Sequence, residues 1–523
     1  MKKLLPLIEQ FRRASGVHKK FKRLIFGLVL FGAFISCNLP TTEIGDSETL
    51  LPRSGDTAPG ETEFFDFLPE RSEGSSVIPS PTPNPMRELA PLQLEQTSYT
   101  VQINDTLGKI AIEFAVTLEA LIEANKITNP NVLDVGQILV IPAPIPGAPA
   151  PGIKLIPDSE LVNGPYNALF DLPAFIQEQG GLLSTHYEEV DDRMLSGTQI
   201  VELVATNYSV NPRLLLALLD YQTGWLSQSQ VSLEELAYPM GNPEPSRDSL
   251  YLQLTWAADT LNAGYYQWRA GTLDYFRTAD GLLIPAATEV NAGTAGLQYF
   301  FAQLYDETSW RETVSANGFI QTYQSMYSYA FDWAIEPLLP ADLTQPEFQL
   351  PFEDGVSWVF TGGAHWSWDD GSAWGALDFA PPSDQLGCVS NDNWVVAVAD
   401  GIIVRAADGA VVQDLDGDST EQTGWTVLYM HIESRDRVLV GKMLHAGDRI
   451  GHPSCEGGYS TGTHLHIARK FNGEWIPIYG STPFIMDGWT AVDTGQLYNG
   501  YLQKGDQIIE PCECKEPENM IQR

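Results

Sequence analysis

The histidines most constrain what this chain can fold into, because six of the eight lie within residues 362–467. His464 and His466 are two apart, so in an extended strand both side chains project from one face. Tyr429 and His431 have the same spacing in an apolar run and are expected to share a face as well. Two imidazoles and one carboxylate, with a water in the fourth position, are the open ligand set of catalytic zinc. A further histidine beside such a set can orient or deprotonate the water.

Four short motifs follow one another in this stretch: GGAH at 362–365, WGALD at 374–378, LYMH at 428–431 and GTHLHI at 462–467. Their order resembles the lysostaphin-type zinc endopeptidases. The likeness is greatest to the staphylolysin-like branch, in which the first histidine lies well before the aspartate. The other branch has H-x-x-x-D, and Trp374 stands at that histidine position here. His445 and His452 match none of the motifs and are expected in surface loops.

The resemblance implies a role for each motif residue. The zinc ligands would be His365, Asp378 and His466. His431 and His464 would form the catalytic pair that handles the water and the tetrahedral intermediate. No motif position is missing, which separates the chain from degenerate relatives that have lost ligands and only activate other enzymes. A structural polar cluster is the alternative, but titratable groups gathered in one place favour a functional site.

The charge is strongly negative and unevenly distributed. The formal net charge is −37, yet residues 1–36 hold eight Lys and Arg and one Glu. The remaining residues hold 22 basic and 66 acidic side chains. Such an acidic body would repel phosphates, which argues against nucleic acid as a partner.

The N-terminus predicts an export signal, because a basic run precedes the short apolar stretch 24–35. The following Phe34-Ile35-Ser36-Cys37 resembles a bacterial lipobox, although Leu is usual where Phe34 stands. We therefore assign residues 1–37 to a signal and lipobox, with lipidated Cys37 anchoring the protein to the outer face of the cytoplasmic membrane. A plain signal peptide or a signal anchor is the alternative. Residues 38–95 are rich in Pro, Ser, Thr, Glu and Gly and are predicted to be a disordered tether.

Residues 96–143 predict a small βααβ unit. The segment 99–101 is typical of a strand, and Asp105 is expected to cap a first helix with helical apolar spacing. A second helix at 117–125 and a strand at 138–141 complete the unit. It resembles a LysM domain, a family that binds N-acetylglucosamine-containing glycans such as peptidoglycan and chitin. A module that mediates only protein contacts is the alternative.

The proline-rich residues 144–154 are expected to be a semi-rigid linker, and residues 155–340 a mostly helical domain. Asn211 should cap a helix that has Pro212 at its first position. The segment that follows distantly resembles the lytic transglycosylase motif, with Gln222 in place of the glutamate. Glutamine cannot donate the proton that glycosidic cleavage requires, so the domain would be a degenerate lysozyme-like fold. Four aromatic residues would then hold glycan, unless they form the core of a helical spacer: Trp225, Tyr265, Tyr266 and Trp268.

Residues 345–510 predict the antiparallel β-sheet peptidase domain, followed by a tail at 511–523. The Asp400-Gly401 pair between two apolar runs indicates a hairpin. Alternating carboxylates from Asp414 to Glu421 could bind Ca²⁺, but the glycine at the sixth place of an EF-hand loop is absent. An acidic hairpin turn is therefore the preferred interpretation.

If Cys37 is lipidated, four cysteines remain, with three possible pairings. Cys388 and Cys455 both lie in predicted loops of the peptidase segment, so a bridge between them is favoured. Cys512 and Cys514 are too close in sequence to pair comfortably with each other, and their state stays open.

The sequence thus predicts a multidomain α+β protein: a LysM module, a mostly helical middle domain and an antiparallel β-sheet zinc peptidase domain. We expect an exported zinc metalloendopeptidase that hydrolyses peptide bonds in the stem and cross-bridge peptides of peptidoglycan, with one Zn²⁺ per peptidase domain. Two alternatives remain. One is a wall-bound, non-catalytic activator of another hydrolase. The other is glycan cleavage by the middle domain, against which Gln222 argues.

Overall fold

The computed structural model describes residue 89 and residues 95–102, 105–114, 116–143, 146–514 and 516–523. The expected signal with Cys37 and nearly all of the expected tether lie outside these residues. Among the helices in the described ranges, none combines the length and apolar character needed to span a bilayer.

The N-terminal module has the predicted βααβ order: β1 Thr97–Thr100, α1 Leu107–Glu113, α2 Leu118–Asn125 and β2 Ile138–Ile141. The two strands pair antiparallel. Asn125 at the end of α2 fastens the helix to β2, because its side-chain amide donates to the Val140 carbonyl and accepts from the Val140 N–H, both at 2.7 Å. The expected cap of α1 was wrong. Thr106 accepts from the Lys109 N–H, whereas Asp105 accepts from the Tyr99 hydroxyl.

The middle region is mostly helical, as predicted. Its helices and short strands are α3 Leu172–Gln179, β3 Tyr187–Val190, β4 Arg193–Ser196, α4 Gly197–Tyr208, α5 Pro212–Thr223, α6 Leu233–Ala237, α7 Leu250–Ala270, β5 Tyr275–Arg277, β6 Leu283–Pro285, α8 Ala292–Ala302, α9 Glu307–Thr313 and α10 Phe319–Tyr327. Asn211 caps α5 and Pro212 is its first residue, which confirms that prediction. Helices α7 and α8 touch through glycines, since a Cβ on Gly264 would come within 2.9 Å of the Gly296 Cα.

The four aromatic residues that were candidates to hold glycan lie in the core of this region, so that interpretation was wrong. Trp225 and Tyr265 are fully buried, and Tyr266 and Trp268 are nearly so. Gln222 accepts a hydrogen bond from the Tyr305 hydroxyl at 2.7 Å. Burial of apolar area against the neighbouring helices decided these positions, as the core alternative had anticipated.

The proline-rich segment, predicted to be a semi-rigid linker, is partly packed against the helical region. The Gly147 N–H donates to the Leu283 carbonyl and the Ala150 N–H to that of Pro285, so the linker lies along β6. Ala150 is buried.

The C-terminal region is a large antiparallel sheet with smaller ones beside it. Its strands are β7 Ser357–Trp366, β8 Trp374–Ala380, β9 Val395–Val396, β10 Gly401–Ala407, β11 Ala410–Asp414, β12 Trp425–Met430, β13 Met443–Leu444, β14 Arg449–Gly451, β15 Leu465–Phe471, β16 Glu474–Trp475, β17 Ile485–Met486, β18 Trp489–Val492, β19 Tyr501–Lys504, β20 Gln507–Ile509 and β21 Met520–Gln522. The main sheet has the order β13-β10-β11-β12-β15-β8-β7-β21, and β16 pairs with β15.

The two faces of the main sheet pack against different partners. Val411, Val427 and Ile467 face a core made within the C-terminal region itself. Their neighbours along the same strands, such as Val412 and Leu428, belong to the core of the helical region. The alternation of side chains along a strand thus buries both faces, one of them under helices.

Two expectations about this region were wrong. Asp400-Gly401 does not close a hairpin, since β9 pairs with β14 and β10 pairs with β11 and β13. Asp400 instead accepts from the Ala446 N–H at 2.8 Å. The expected tail is part of the fold, because β21 pairs with β7 at the sheet edge and buries Ile521.

Candidate metal centre

Adjacent strands bring the three candidate ligands together. In the register of β8 with β15, Asp378 lies directly opposite His466. His365 comes from β7 on the other side of β8, after register shifts on both sides of Gly362. Ligand atoms of the three residues lie within 4.8 Å of one another, although His365 and His466 are 101 residues apart in sequence. The structure therefore gathers the three side chains that the sequence singled out.

The hydrogen bonds of the two imidazoles aim their free nitrogens at one point. The Nδ1–H of His365 donates to the Gly363 carbonyl at 2.8 Å, and the Nε2–H of His466 donates to the Ser367 carbonyl at 3.0 Å. The remaining nitrogens, Nε2 of His365 and Nδ1 of His466, are 3.0 Å apart. Backbone carbonyls that fix a tautomer in this way are the usual outer support of metal-binding histidines.

Asp378 completes the set. Its Oδ1 is 3.2 Å from Nε2 of His365 and 3.4 Å from Nδ1 of His466, and it has no hydrogen-bond partner among the described residues. Burial by itself would raise the pKa of Asp378, but the surrounding imidazoles outweigh it and hold that pKa well below its usual range. Two imidazole nitrogens and one carboxylate oxygen, all buried and facing each other, fit the donor set of zinc. Their role as ligands remains a prediction.

Two adjacent glycines explain the spacing of the first motif. A Cβ on Gly362 would lie 2.7 Å from Oδ2 of Asp378, and one on Gly363 would lie 1.9 Å from the carbonyl oxygen of Asn499. Both contacts are too close for any side chain. The pair therefore lets β7 approach Asp378 and the segment at Asn499 at once.

His464 and His431 lie together on one side of this cluster. Their ring centroids are 4.5 Å apart, and Nε2 of His464 is 3.7 Å from Oδ1 of Asp378. The Nδ1–H of His464 donates to the Gly462 carbonyl and that of His431 to the Glu456 carbonyl. In both rings Nε2 is therefore the nitrogen left to accept a proton. Burial, with the neighbouring His464 and His466 acting in the same direction, lowers the pKa of His431 to about 3.

The expectation that Tyr429 and His431 share a face was wrong. Strand β12 ends at Met430, and His431 has a left-handed backbone with φ of 64°. The alternation of side chains between the two faces of the strand therefore ends before His431. The Tyr429 ring lies in the core formed within the C-terminal region, and its hydroxyl donates to Gln413 at 2.9 Å. The His431 ring lies instead beside His464 at the candidate metal centre.

The two remaining histidines of the stretch differ from each other. His445 is exposed, as expected. His452 is buried, so its assignment to a surface loop was wrong. Its Nδ1–H donates to the Asn393 carbonyl at 2.9 Å, and its ring packs on Trp394 with centroids 3.9 Å apart. This aromatic contact holds the ring inside the domain.

Tyr498 belongs to the site but was not identified from the sequence. Its ring stacks on His365 with centroids 4.5 Å apart and planes inclined by 22°. Burial and the charge of Asp378 raise the pKa of its hydroxyl. Tyr498 lies outside all four motifs, and its backbone pairs with that of Gly363 and Ala364 beside His365.

A disulfide joins the two loops at the rim of the site. Cys388 and Cys455 are bonded, which confirms the favoured pairing. The Thr463 N–H also donates to the Gly387 carbonyl at 3.1 Å, so the same loops are held beside His464.

The second pair of cysteines, Cys512 and Cys514, is bonded as well, contrary to the expectation that they are too close. The Asn519 side chain donates to both of their carbonyls and holds the turn that brings them together.

The candidate centre opens into a cleft of about 1840 Å³ with walls from two regions. Gln199 and Glu202 of α4 line one side, and Trp366, His464 and Tyr459 line the other. Polar contacts hold the walls together: the Tyr208 hydroxyl donates to Asp369 at 2.9 Å, and Arg405 donates to Asn207 at 2.7 Å. The helical region is therefore part of the surroundings of the site.

Two family models match separate parts of the chain. Residues 99–142 match the family model described as LysM domain, and residues 154–338 match the one described as LasA, N-terminal domain. The latter covers the region for which a degenerate lysozyme-like fold was expected.

Relatives of known name are also similar to parts of this chain. Protease LasA of Pseudomonas aeruginosa is 25% identical over 292 residues, which are 53% of this chain and 66% of that protein. The chain thus spans just under two thirds of that relative's length. Beta-lytic metalloendopeptidase of Lysobacter enzymogenes is 27% identical over 171 residues, 30% of this chain and 89% of that protein.

Among solved structures, the M23 metalloprotease pseudoalterin from the deep sea is 24% identical, with a TM-score of 0.26. The match covers 32% of this chain and 96% of that one. The sequence matches carry the assignment: this chain is similar to protease LasA and to beta-lytic metalloendopeptidase, and it has a LysM domain ahead of a region that matches the LasA N-terminal domain.

Proposed function

We propose that this protein is an exported zinc metalloendopeptidase that hydrolyses peptide bonds of peptidoglycan. One observation carries the proposal: the free nitrogens of His365 and His466 and the unpartnered Oδ1 of Asp378 converge in a buried cluster beside a cleft. These three side chains would hold the ion. When bound, zinc supplies a Lewis acid that polarises the scissile carbonyl and acidifies a water.

The two further histidines would divide the proton chemistry. Nε2 of His464 faces Asp378, whose negative charge would stabilise the imidazolium formed when His464 accepts a proton from the attacking water. His431 stays neutral, since burial lowers its pKa to about 3. With its Nδ1–H held by the Glu456 carbonyl, its Nε2 would accept a hydrogen bond and orient the water.

The rest of the chain would deliver this chemistry to the cell wall. The LysM domain would bind glycan strands and concentrate the peptidase on its substrate. Lipidation of Cys37 would keep the protein at the outer face of the cytoplasmic membrane. The acidic body is compatible with an extracellular location and unfavourable for binding nucleic acid.

The experiment is a digestion of purified peptidoglycan by the purified protein, with and without a chelator. New free amines that vanish with chelator and return with zinc would support the proposal, and mass spectra of the products would identify the bond. New reducing ends would move the catalysis to the glycan. Binding to the wall without new ends would favour the activator role.

A matched pair of variants sharpens the test. His466→Ala should lose both zinc and amine release, whereas His445→Ala, which changes an exposed histidine outside the cluster, should retain both. The proposal fails if His466→Ala loses zinc yet still releases amines at the normal rate.

A further inference from the structure

A second group of oxygen ligands lies at the hairpin between β11 and β12. Carboxylate oxygens of Asp414, Asp416 and Asp418 lie within 4.8 Å of one another. Three carboxylates at such distances repel each other unless a proton or a cation lies between them. A set made only of oxygen atoms is suited to a hard cation rather than to zinc, which prefers nitrogen and sulfur ligands.

The loop has the backbone of a calcium-binding turn despite its unusual sequence. Asp414, Asp416 and Asp418 occupy its first, third and fifth places, and Ser419 occupies the sixth, where EF-hand loops have glycine. Ser419 adopts the left-handed conformation, with φ of 71°. Its N–H donates to Oδ2 of Asp414 at 2.9 Å. The missing glycine, which argued against a calcium site, therefore does not prevent the turn.

An independent observation points to a ligand at the same place. Thr426 is directly opposite Asp414 in the pairing of β11 with β12, so the two side chains project from the same face of the sheet. Thr426 is 1% exposed, and its Oγ1 has no hydrogen-bond partner among the described residues. A buried hydroxyl is seldom left unsatisfied. A cation beside Asp414 would give it a partner.

We propose that this loop binds one Ca²⁺ through Asp414, Asp416 and Asp418, with the Thr426 hydroxyl as a further oxygen ligand. Calcium is favoured over magnesium because it accepts more ligands in a less regular arrangement. The twelfth place of the loop is Trp425, so the bidentate glutamate of a full EF-hand is absent. The affinity should therefore be that of extracellular calcium modules, with Kd of about 10⁻⁴ to 10⁻³ M.

The ion would act on the wall of the cleft. Glu421 of the same loop is not free to be a ligand, since Arg405 donates to it at 2.7 Å and Lys470 at 2.9 Å. Arg405 also donates to Asn207 in α4. Calcium would thus order the loop that holds Glu421. Because Arg405 contacts both Glu421 and Asn207, it would also stabilise the contact between the sheet and the helical region.

The test is a calorimetric titration of the purified, metal-free protein with Ca²⁺ alone, with the Tm measured in parallel. We expect one ion per chain and a Tm that rises with calcium concentration. Asp416→Asn combined with Asp418→Asn should abolish both effects. Asp506→Asn, which changes an exposed carboxylate in the β19–β20 turn, should leave both unchanged.

Two further variants separate calcium binding from folding and from the zinc site. Thr426→Val keeps the side-chain shape, so it should fold normally and bind Ca²⁺ at least several-fold more weakly. His466→Ala should bind Ca²⁺ as the unchanged protein does. Absence of one-to-one binding up to about 10 mM Ca²⁺, roughly ten times the weakest expected Kd, would overturn the proposal. So would equal binding by the double Asp variant.

Discussion

Asp378 and His466 lie directly opposite each other on neighbouring strands, with Oδ1 of the first 3.4 Å from Nδ1 of the second. The pairing register of β8 with β15 therefore builds the candidate metal centre. A slip of one residue would turn one of the two side chains to the opposite face of the sheet. Both strands place residues in the cores on both faces, such as Ala376 and Leu377 in β8, and this packing holds the register.

Replacing His464 by Gln should lower kcat for peptidoglycan cleavage by about 10² to 10⁴-fold, the usual contribution of a general base. Zinc content should stay the same, because Nε2 of His464 faces the cluster without belonging to the three candidate ligands. Amine release and bound metal, measured on the same preparation, check this. Loss of the metal together with activity would show that His464 is a zinc ligand and not only a general base.

Replacing Gly363 by Ala should weaken zinc binding by about 10 to 100-fold, as expected when the outer support of a ligand is disturbed. The new Cβ would lie 1.9 Å from the Asn499 carbonyl oxygen, so the backbone that carries His365 must move. Competition with a chromogenic chelator measures the affinity. Gly108→Ala in α1, where a Cβ meets nothing closer than 4.0 Å, is the control. Equal affinities would exclude this role for Gly363.

Removing the rim disulfide by Cys388→Ser with Cys455→Ser should lower the free energy of unfolding by about 2 to 4 kcal/mol. The bridge closes a loop between residues 67 apart in sequence, so its loss frees the unfolded chain. Urea unfolding checks the stability. Amine release should fall as well, because the bridged loops lie beside His464. Unchanged activity would show that the hydrogen bonds of Thr463 alone hold the rim.

Protonation of Glu421 at acid pH should lower the free energy of unfolding. Burial alone would raise its pKa, but Arg405 and Lys470 outweigh it and lower the pKa to about 2. Its ordinary value is 4.5, so the stabilisation is complete above pH 4.5 and is lost as the pH falls toward 2. Glu421→Gln should remove this part of the pH dependence, measured by urea unfolding between about pH 2 and pH 5. Glu178→Gln, an exposed position, should not.

Much of the protein follows from local sequence. The βααβ module and the start of α5 at Asn211 and Pro212 were predicted, and the three side chains singled out as candidate ligands do lie together. Helical spacing, capping residues and the alternation of side chains along a strand involve only a few neighbouring positions. They can therefore be recognised in the sequence. The motifs at His365, Asp378 and His466 could be identified together because each is short and distinctive.

Only the tertiary structure decided the features that depend on residues distant in sequence. Tyr498 reaches His365 through backbone pairing between segments far apart in the chain, and no local pattern marks it. The side chain of His431 does not share a face with Tyr429, because the backbone of His431 is in the left-handed conformation. His452 is buried through its contact with Trp394. Whether a side chain is core, surface or site depends on which segments pack against it. That packing is set by the whole fold, whereas the chemistry of the candidate ligands is set by the residues themselves.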